Sequence, residues 1–145
     1  MELEIDSEAL VTMHKDATAS YPNECCGFFY GYEKGELRHV TTAVPVTNSK
    51  EGDKRRRFEI SPQDYLRAEQ YALENELTLL GIYHSHPDHP AKPSEHDLKQ
   101  AVPYFSYVII AVDNGETSNI TSWQLNKRGI FQEEKIKNLL TDNVN

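Results

Sequence analysis

Hydrophobic and polar positions change period several times along the chain. Leu10, Met13 and Ala17 recur at helical spacing behind Ser7, which can act as a cap, and the pattern stops before Tyr21-Pro22. A first helix is predicted there, and the acidic stretch from Met1 to Asp16 as a whole reads as helix-like. From Cys25 to Tyr32 the residues are apolar and aromatic, Glu33-Lys34-Gly35-Glu36 reads as a turn, and Leu37 to Val46 is rich in β-branched residues, which together predict a hairpin. Asn48 to Arg57 is polar and charged. It is expected as an exposed loop returning to a short strand around Phe58-Glu59-Ile60.

Ser61-Pro62-Gln63-Asp64 supplies an N-cap, a proline at the first helical position and an acid in the first turn, so a second helix starts here. Leu66, Leu73 and Leu77 share one of its faces, with Glu69 near the edge of that stripe. Leu79 to Tyr83 and Phe105 to Val112 are apolar at nearly every position, as expected of central strands covered on both faces. Between them Ser94-Glu95-His96-Asp97 opens a short helix, and Ile120 to Leu125 reads as another strand. Helices before, between and after strands predict an α/β or α+β domain on one mixed sheet.

Length and charge narrow the function. At 145 residues the chain fits a single domain, residues 1–145, with a core large enough to need neither disulfides nor a structural metal. Fifteen basic against 23 acidic side chains leave a net charge of -8, a field that repels phosphate backbones and anionic lipid. Neither nucleic acid nor membrane is an expected partner. No apolar run approaches the roughly 20 residues of a bilayer span, and the start shows no pattern of a secretion signal. Cys25 and Cys26 are adjacent, a spacing too short for an unstrained bridge, and a reducing cytoplasm fits them.

The informative segment is Gly81-Ile82-Tyr83-His84-Ser85-His86-Pro87-Asp88-His89-Pro90-Ala91-Lys92-Pro93-Ser94-Glu95-His96-Asp97, which holds four of the six histidines. If the buried strand runs to its end, His84 and His86 point to the same side, because side chains alternate with period two. Pro87, Pro90 and Pro93 stiffen the return, which brings Asp97 back in the first turn of a helix. Two neutral imidazoles and one carboxylate suit zinc, and three protein ligands leave a tetrahedral corner for water. Hydrolysis is therefore the leading reaction class. The same donors also describe the facial triad of a mononuclear iron oxygenase.

The spacing of His84, His86, Ser94 and Asp97, with Pro87 after the histidine pair, resembles the zinc signature of the JAMM (MPN-plus) metalloproteases. The resemblance extends to Tyr21-Pro22-Asn23-Glu24-Cys25-Cys26-Gly27, similar to the segment that carries the family's catalytic glutamate, and to Phe58-Glu59-Ile60. It implies one zinc per chain on His84, His86 and Asp97, Glu24 as general acid and base, and Ser94 as donor to the developing oxyanion. It also implies a three-layer α/β/α fold around a mixed sheet, the MPN/JAMM, cytidine-deaminase-like arrangement. The family cleaves peptide or isopeptide bonds at the C-termini of ubiquitin-like proteins. Its compact prokaryotic members imply a ubiquitin-like or sulfur-carrier protein as substrate, or an amino-acid adduct at such a C-terminus. Relatives that serve as non-catalytic scaffolds usually lack the metal set, which is intact here.

Asp88, His89 and His96 are expected as solvated loop and helix residues rather than extra ligands, and His14 and His39 lie at the surface. Cys26 matches a cysteine common at this place in the family, and both thiols are expected to be packed rather than nucleophilic. Lys54 to Arg57 reads as a solvated loop.

Overall fold

Neighbouring residues of one strand feed two different cores, and this alternation organises the molecule. Phe29 packs in a cluster with Leu3, Ile5, Leu10, Met13 and Val108, while Cys26, Phe28 and Tyr30 pack in a second with Ile82, Ala68 and Ala72. A computed structural model describes residues 1–137. Its elements are β1 (Glu2–Ile5), α1 (Ser7–Ser20), β2 (Cys26–Lys34), β3 (Leu37–Val46), α2 (Pro62–Glu74), β4 (Thr78–Pro87), α3 (Glu95–Gln100), β5 (Ser106–Asp113), β6 (Glu116–Leu125) and β7 (Phe131–Ile136).

The sheet is mixed, with β4 parallel to β5 and β2 antiparallel to both β3 and β4. Its order is β1-β3-β2-β4-β5-β6-β7, and it closes because β1 pairs in parallel with β3 on one side and β7 on the other. The expected mixed sheet and packed helices are present. Closure is a feature that a three-layer description leaves out. Helix α1 packs across β3, β4, β5 and β6, burying Ala9, Leu10, Met13 and Ala17, while α2 packs against β4. His39 ties β1 to β3: its Nδ1 meets Glu4 Oε1 at 3.0 Å and its Nε2 meets Asp6 Oδ1 at 2.8 Å, so it is partnered rather than a free surface group. None of the described helices is long and apolar enough to cross a membrane.

Several expectations need correction. Glu2–Ile5 is a strand, its alternating Leu3 and Ile5 pointing into the core, so the helix-like reading of the first residues fails there. Asp6, not Ser7, is the N-cap of α1, and its side chain makes no capping bond. Phe58 and Ile60 are buried, but their segment is not a strand: the Glu59 carbonyl accepts from Ser49 N–H, and Glu59 N–H donates to Asn48 Oδ1, two anchors rather than a ladder. In α2 the leucine stripe faces outward, Leu66 being 56% and Leu73 81% exposed, while Ala68 and Ala72 face the sheet. Alanines let the helix approach closely, and Tyr65 and Tyr71 straddle Phe28 and Tyr30, with ring centroids 5.3 and 4.8 Å apart. Strand β7 carries no strong apolar run and went unpredicted.

Candidate metal centre

The strand that carries the histidines contains a bulge that decides where they point. Phe29 pairs with Gly81 but Tyr30 pairs with Leu79, so Leu80 is the extra residue. Leu80 and Tyr83, three apart, therefore lie in the same core cluster, and Ile82 lies in the other. Beyond the bulge the alternation is regular. Ser85 turns toward β2, where its Oγ accepts from Cys25 N–H at 2.8 Å. His84 and His86 take the opposite face, where the Phe58 ring stacks on His84 with centroids 4.6 Å apart.

On that face the two imidazoles meet a carboxylate. His84 Nε2 and His86 Nε2 are 3.1 Å apart, and they lie 3.3 and 3.2 Å from Asp97 Oδ2. All three side chains are buried. A four-coordinate zinc with bonds of roughly 2.0–2.1 Å has ligand-to-ligand edges of about 3.3 Å, so the three atoms stand where such an ion would hold them. His86 Nδ1 lies 2.8 Å from the Pro90 carbonyl, which fixes its proton on Nδ1 and leaves Nε2 free to ligate. The donor set fits a divalent metal, as its grouping of three potential ligands implies.

Electrostatics agree. Burial pulls the His84 pKa down, which keeps the ring in its neutral, ligating form. Burial would raise Asp97, but His84, His86 and the Ser94 N–H outweigh it and hold the carboxyl well below the usual carboxylate range. Asp97 is also half of a capping box: Ser94 Oγ accepts from Asp97 N–H at 3.0 Å, and Asp97 Oδ2 accepts from Ser94 N–H at 2.9 Å. One short helix start thus orients the carboxylate and the exposed Ser94 hydroxyl together. That hydroxyl accepts through oxygen, so its hydrogen stays free to donate.

Glu24 reaches the site by sheet register, which spacing alone does not reveal. Cys26 stands opposite His84, so the chain two residues earlier comes beside His86. Glu24, His86 and Ser94 line one cavity of about 340 Å³, together with Arg56, His89, Pro90 and Lys92. The Glu24 carboxyl is buried with one oxygen unpartnered. Burial, with the nearby Asp97 and Asp53 charges, pushes its pKa up to about 9. A bound cation would oppose that shift by favouring the carboxylate.

The remaining candidates separate clearly. His96 pairs with Gln100, which also donates to the Phe58 carbonyl at 3.2 Å, so His96 is not part of the triad. The His89 ring stands edge-on to His86 with centroids 6.4 Å apart and lines the cavity. Asp88 is not simply solvated, since it accepts from Tyr21 Oη and Asn114 N–H. Cys25 and Cys26 are buried and unbridged, and burial pushes the Cys26 thiol up to about 12, as packed thiols require.

Sequence reasoning missed the frame around Glu24. Asn48 Nδ2 donates to the carbonyls of both Glu24 and Arg57 at 3.1 Å, and Glu24 N–H donates to the Lys54 carbonyl at 2.7 Å. The basic loop is therefore fastened to the glutamate's backbone on both sides. Its local signals are two Asx turns, Lys50 N–H donating to Asn48 Oδ1 and Arg55 N–H donating to Asp53 Oδ1, each at 3.0 Å.

The model of the family "Prokaryotic homologs of the JAB domain" matches residues 6–126. The desampylase of Pyrococcus furiosus is 29% identical over 113 residues, which cover 78% of this chain and 74% of that protein. Tail tip assembly protein K of Escherichia phage N15 is 36% identical over 84 residues, 58% of this chain but only 30% of the phage protein's length. A probable TtuB-protein conjugate cleaving protease of Thermus thermophilus is 56% identical over 43 residues, 29% of each chain. Among solved structures, protein DSY2949 of Desulfitobacterium hafniense superposes with a TM-score of 0.81 at 30% identity, covering 93% of this chain and 91% of that one.

Proposed function

The chain belongs to the prokaryotic homologs of the JAB domain, and on that premise we propose that it is a zinc-dependent peptidase or isopeptidase acting at the C-terminus of a ubiquitin-like or sulfur-carrier protein. The observation that carries this reading is the shared cavity: a buried carboxylate, a hydroxyl with a free hydrogen and one imidazole of the His84–His86–Asp97 triad face the same space. Relatives named desampylase and TtuB-protein conjugate cleaving protease support the substrate class.

His84, His86 and Asp97 would hold the zinc, one ion per chain. When bound, it would supply Lewis acidity that polarises a carbonyl and acidifies water. Glu24 accepts the proton of the attacking water on its carboxylate and returns one to the departing nitrogen, a transfer typically worth ~10²–10⁴ in rate. Ser94 Oγ donates its hydrogen to the carbonyl oxygen as charge builds there, while the Asp97 N–H donates to Ser94 Oγ and fixes the hydroxyl in place. The unbridged thiols fit a reducing compartment, and the cytoplasm is the proposed location.

Mass spectrometry tests the proposal on ubiquitin-like carriers and their conjugates from the same cell, incubated with the zinc-loaded protein and with Glu24→Gln. Wild type releases the carrier and Glu24→Gln does not. Metal analysis runs alongside: iron with oxygen consumption would replace this reading with that of an oxygenase.

A further inference from the structure

All four backbone polar groups of Glu24 and Cys25 are bonded, and they divide between two partners. Glu24 N–H donates to the Lys54 carbonyl at 2.7 Å, and the Glu24 carbonyl accepts from Asn48 Nδ2 at 3.1 Å. Cys25 N–H donates to Ser85 Oγ at 2.8 Å, and the Cys25 carbonyl accepts from Ser85 N–H at 3.3 Å. The second pair departs from sheet geometry. Facing residues of a hydrogen-bonded antiparallel pair exchange N–H···O=C bonds in both directions, which would send Cys25 N–H to the Ser85 carbonyl. A hydroxyl takes that bond instead, at the point where β2 begins and the backbone leads back to Glu24.

Ser85 also lies between the two imidazoles. His84 and His86 face the cavity side of β4, so Tyr83 and Ser85 face the core behind them, and both are fully buried. The Tyr83 ring lies so close over Gly27 that a Cβ there would come within 2.3 Å of it, and its hydroxyl donates to Asp16 Oδ2 at 2.7 Å. The Cys25 thiol bonds both Asp16 and the Ser85 hydroxyl. Helix α1 thereby braces, from behind, the contact between the ligand strand and the residue after Glu24.

Resting on the hydrolase reading above, we infer that Ser85 is a positioning residue, whose hydroxyl fixes Glu24 relative to the His84–His86–Asp97 triad by holding the Cys25 N–H. The other backbone bonds of Glu24 run to Asn48 and Lys54, in a loop that supplies no ligand. Ser85 is the partner that stands on the ligand strand itself. Without the hydroxyl, Cys25 N–H either stays buried and unpaired, at a cost in stability, or turns to the Ser85 carbonyl as in a regular ladder. Cys25 shifts in both cases, and Glu24 shifts with it. The imidazoles keep their places, because His84 and His86 are also set by pairing with Ile109 and Ala111 of β5. The result is an intact metal set beside a misplaced proton carrier.

The test compares the zinc-loaded wild type with Ser85→Ala, Ser85→Val and Ser85→Thr, the last two differing only in a methyl for the hydroxyl. Crystal structures are expected to show the three ligands unmoved throughout and the Glu24 carboxylate displaced, by about 1 Å, in the alanine and valine variants alone. On the carrier conjugate that the wild type cleaves, those two variants lose about 10²-fold in kcat with KM unchanged and one zinc per chain, and Ser85→Thr restores kcat. Amide exchange at Cys25 is slow in wild type and Ser85→Thr and fast in Ser85→Ala. A residue that only supports the fold would lower the melting temperature and leave the kcat of folded protein intact. That result, a Glu24 still in place without the hydroxyl, or a threonine variant no better than valine overturns the inference. Should the alanine and valine variants not fold, a Cys25 amide that exchanges freely in the wild type still overturns it. The crystal and exchange measurements need no substrate. A displaced Glu24 in a protein whose wild type cleaves no conjugate keeps the positioning role and overturns the hydrolase reading, while an unmoved Glu24 beside full turnover does the reverse.

Discussion

Tyr21 donates its hydroxyl hydrogen to Asp88 Oδ2 across 2.7 Å, joining residues 67 positions apart. Asp88 also accepts from Asn114 N–H at 2.9 Å and donates its own N–H to the Val112 carbonyl at 2.7 Å, while its backbone sits at φ 58°. One residue thus locks the turn after His86 both to the segment leading into Glu24 and to the β5–β6 turn. A left-handed Asp is tolerated because its short polar chain bonds locally. Tyr21→Phe is expected to lower kcat several-fold with little change in metal content, since the link to the Glu24 segment is lost. Asp88→Asn keeps the left-handed conformation and folds normally, whereas Asp88→Val loses both conformation and bonds. Thermal melts and turnover on one conjugate rank the three variants.

The Glu24 carboxyl, pushed up to about 9 by burial, makes the metal-free protein sensitive to alkali. A carboxyl whose folded pKa exceeds its unfolded value stabilises fully below the unfolded pKa of 4.5, and that contribution is lost as pH rises toward 9. The neutral His84 works in the opposite direction, losing stability as pH falls below the ordinary histidine value. The difference between wild type and Glu24→Gln isolates the glutamate. In chelator, the variant gains on wild type by up to about 1.4 kcal/mol per pH unit between pH 5 and 9. Urea melts at pH 5, 7 and 9 measure it, and parallel curves would remove the buried charge from the account.

His86→Ala is expected to lose both zinc and activity, and Glu24→Gln to retain zinc and lose activity. Zinc at about a thousand times its Kd stabilises a folded site by ~4 kcal/mol. Chelator therefore lowers the melting point of wild type and of Glu24→Gln alike, and leaves His86→Ala unmoved. Elemental analysis with calorimetric melts reads all three. Acid also strips the metal, because protonated imidazoles do not ligate.

Ser94 joins two roles that substitution can divide. Ser94→Ala removes the cap of α3 and costs about 1 kcal/mol, as well as the donor, worth roughly 10²–10³ in rate. Ser94→Gly costs only a few tenths of a kcal/mol as a cap and loses the same rate. Denaturation beside single-turnover kinetics distinguishes them, and equal rate losses at unequal stabilities identify the hydroxyl as the acting group.

The His84–His86–Asp97 triad was legible because its geometry is local: a strand alternates, prolines stiffen the return, and a capping box presents Asp97. Glu24 was legible only through family resemblance, because its position depends on the β2–β4 pairing that sets Cys26 opposite His84. The leucines of α2 misled because helical periodicity reports a stripe but not the partner. A close sheet selects Ala68 and Ala72 over Leu66 and Leu73. Arg38 is 1% exposed on a strand that reads as ordinary, its guanidinium donating to Ser106 Oγ at 2.8 Å and to the Leu80 carbonyl at 3.3 Å. Nothing within β3 marks it as interior, since all of these partners come from distant segments.

Strand β1 has a consequence for how the chain reaches its native state. Residues 2–5 lie between β3 and β7, and Leu3 finds its second neighbour only at Ile136. During synthesis that seam stays open until almost the last described residue has left the ribosome, at the roughly 5–20 residues per second of translation. Such long-range pairing is slow to form, so the growing polypeptide exposes an unsatisfied edge for seconds. Chaperone demand should concentrate in that interval, before the ring of strands can shut.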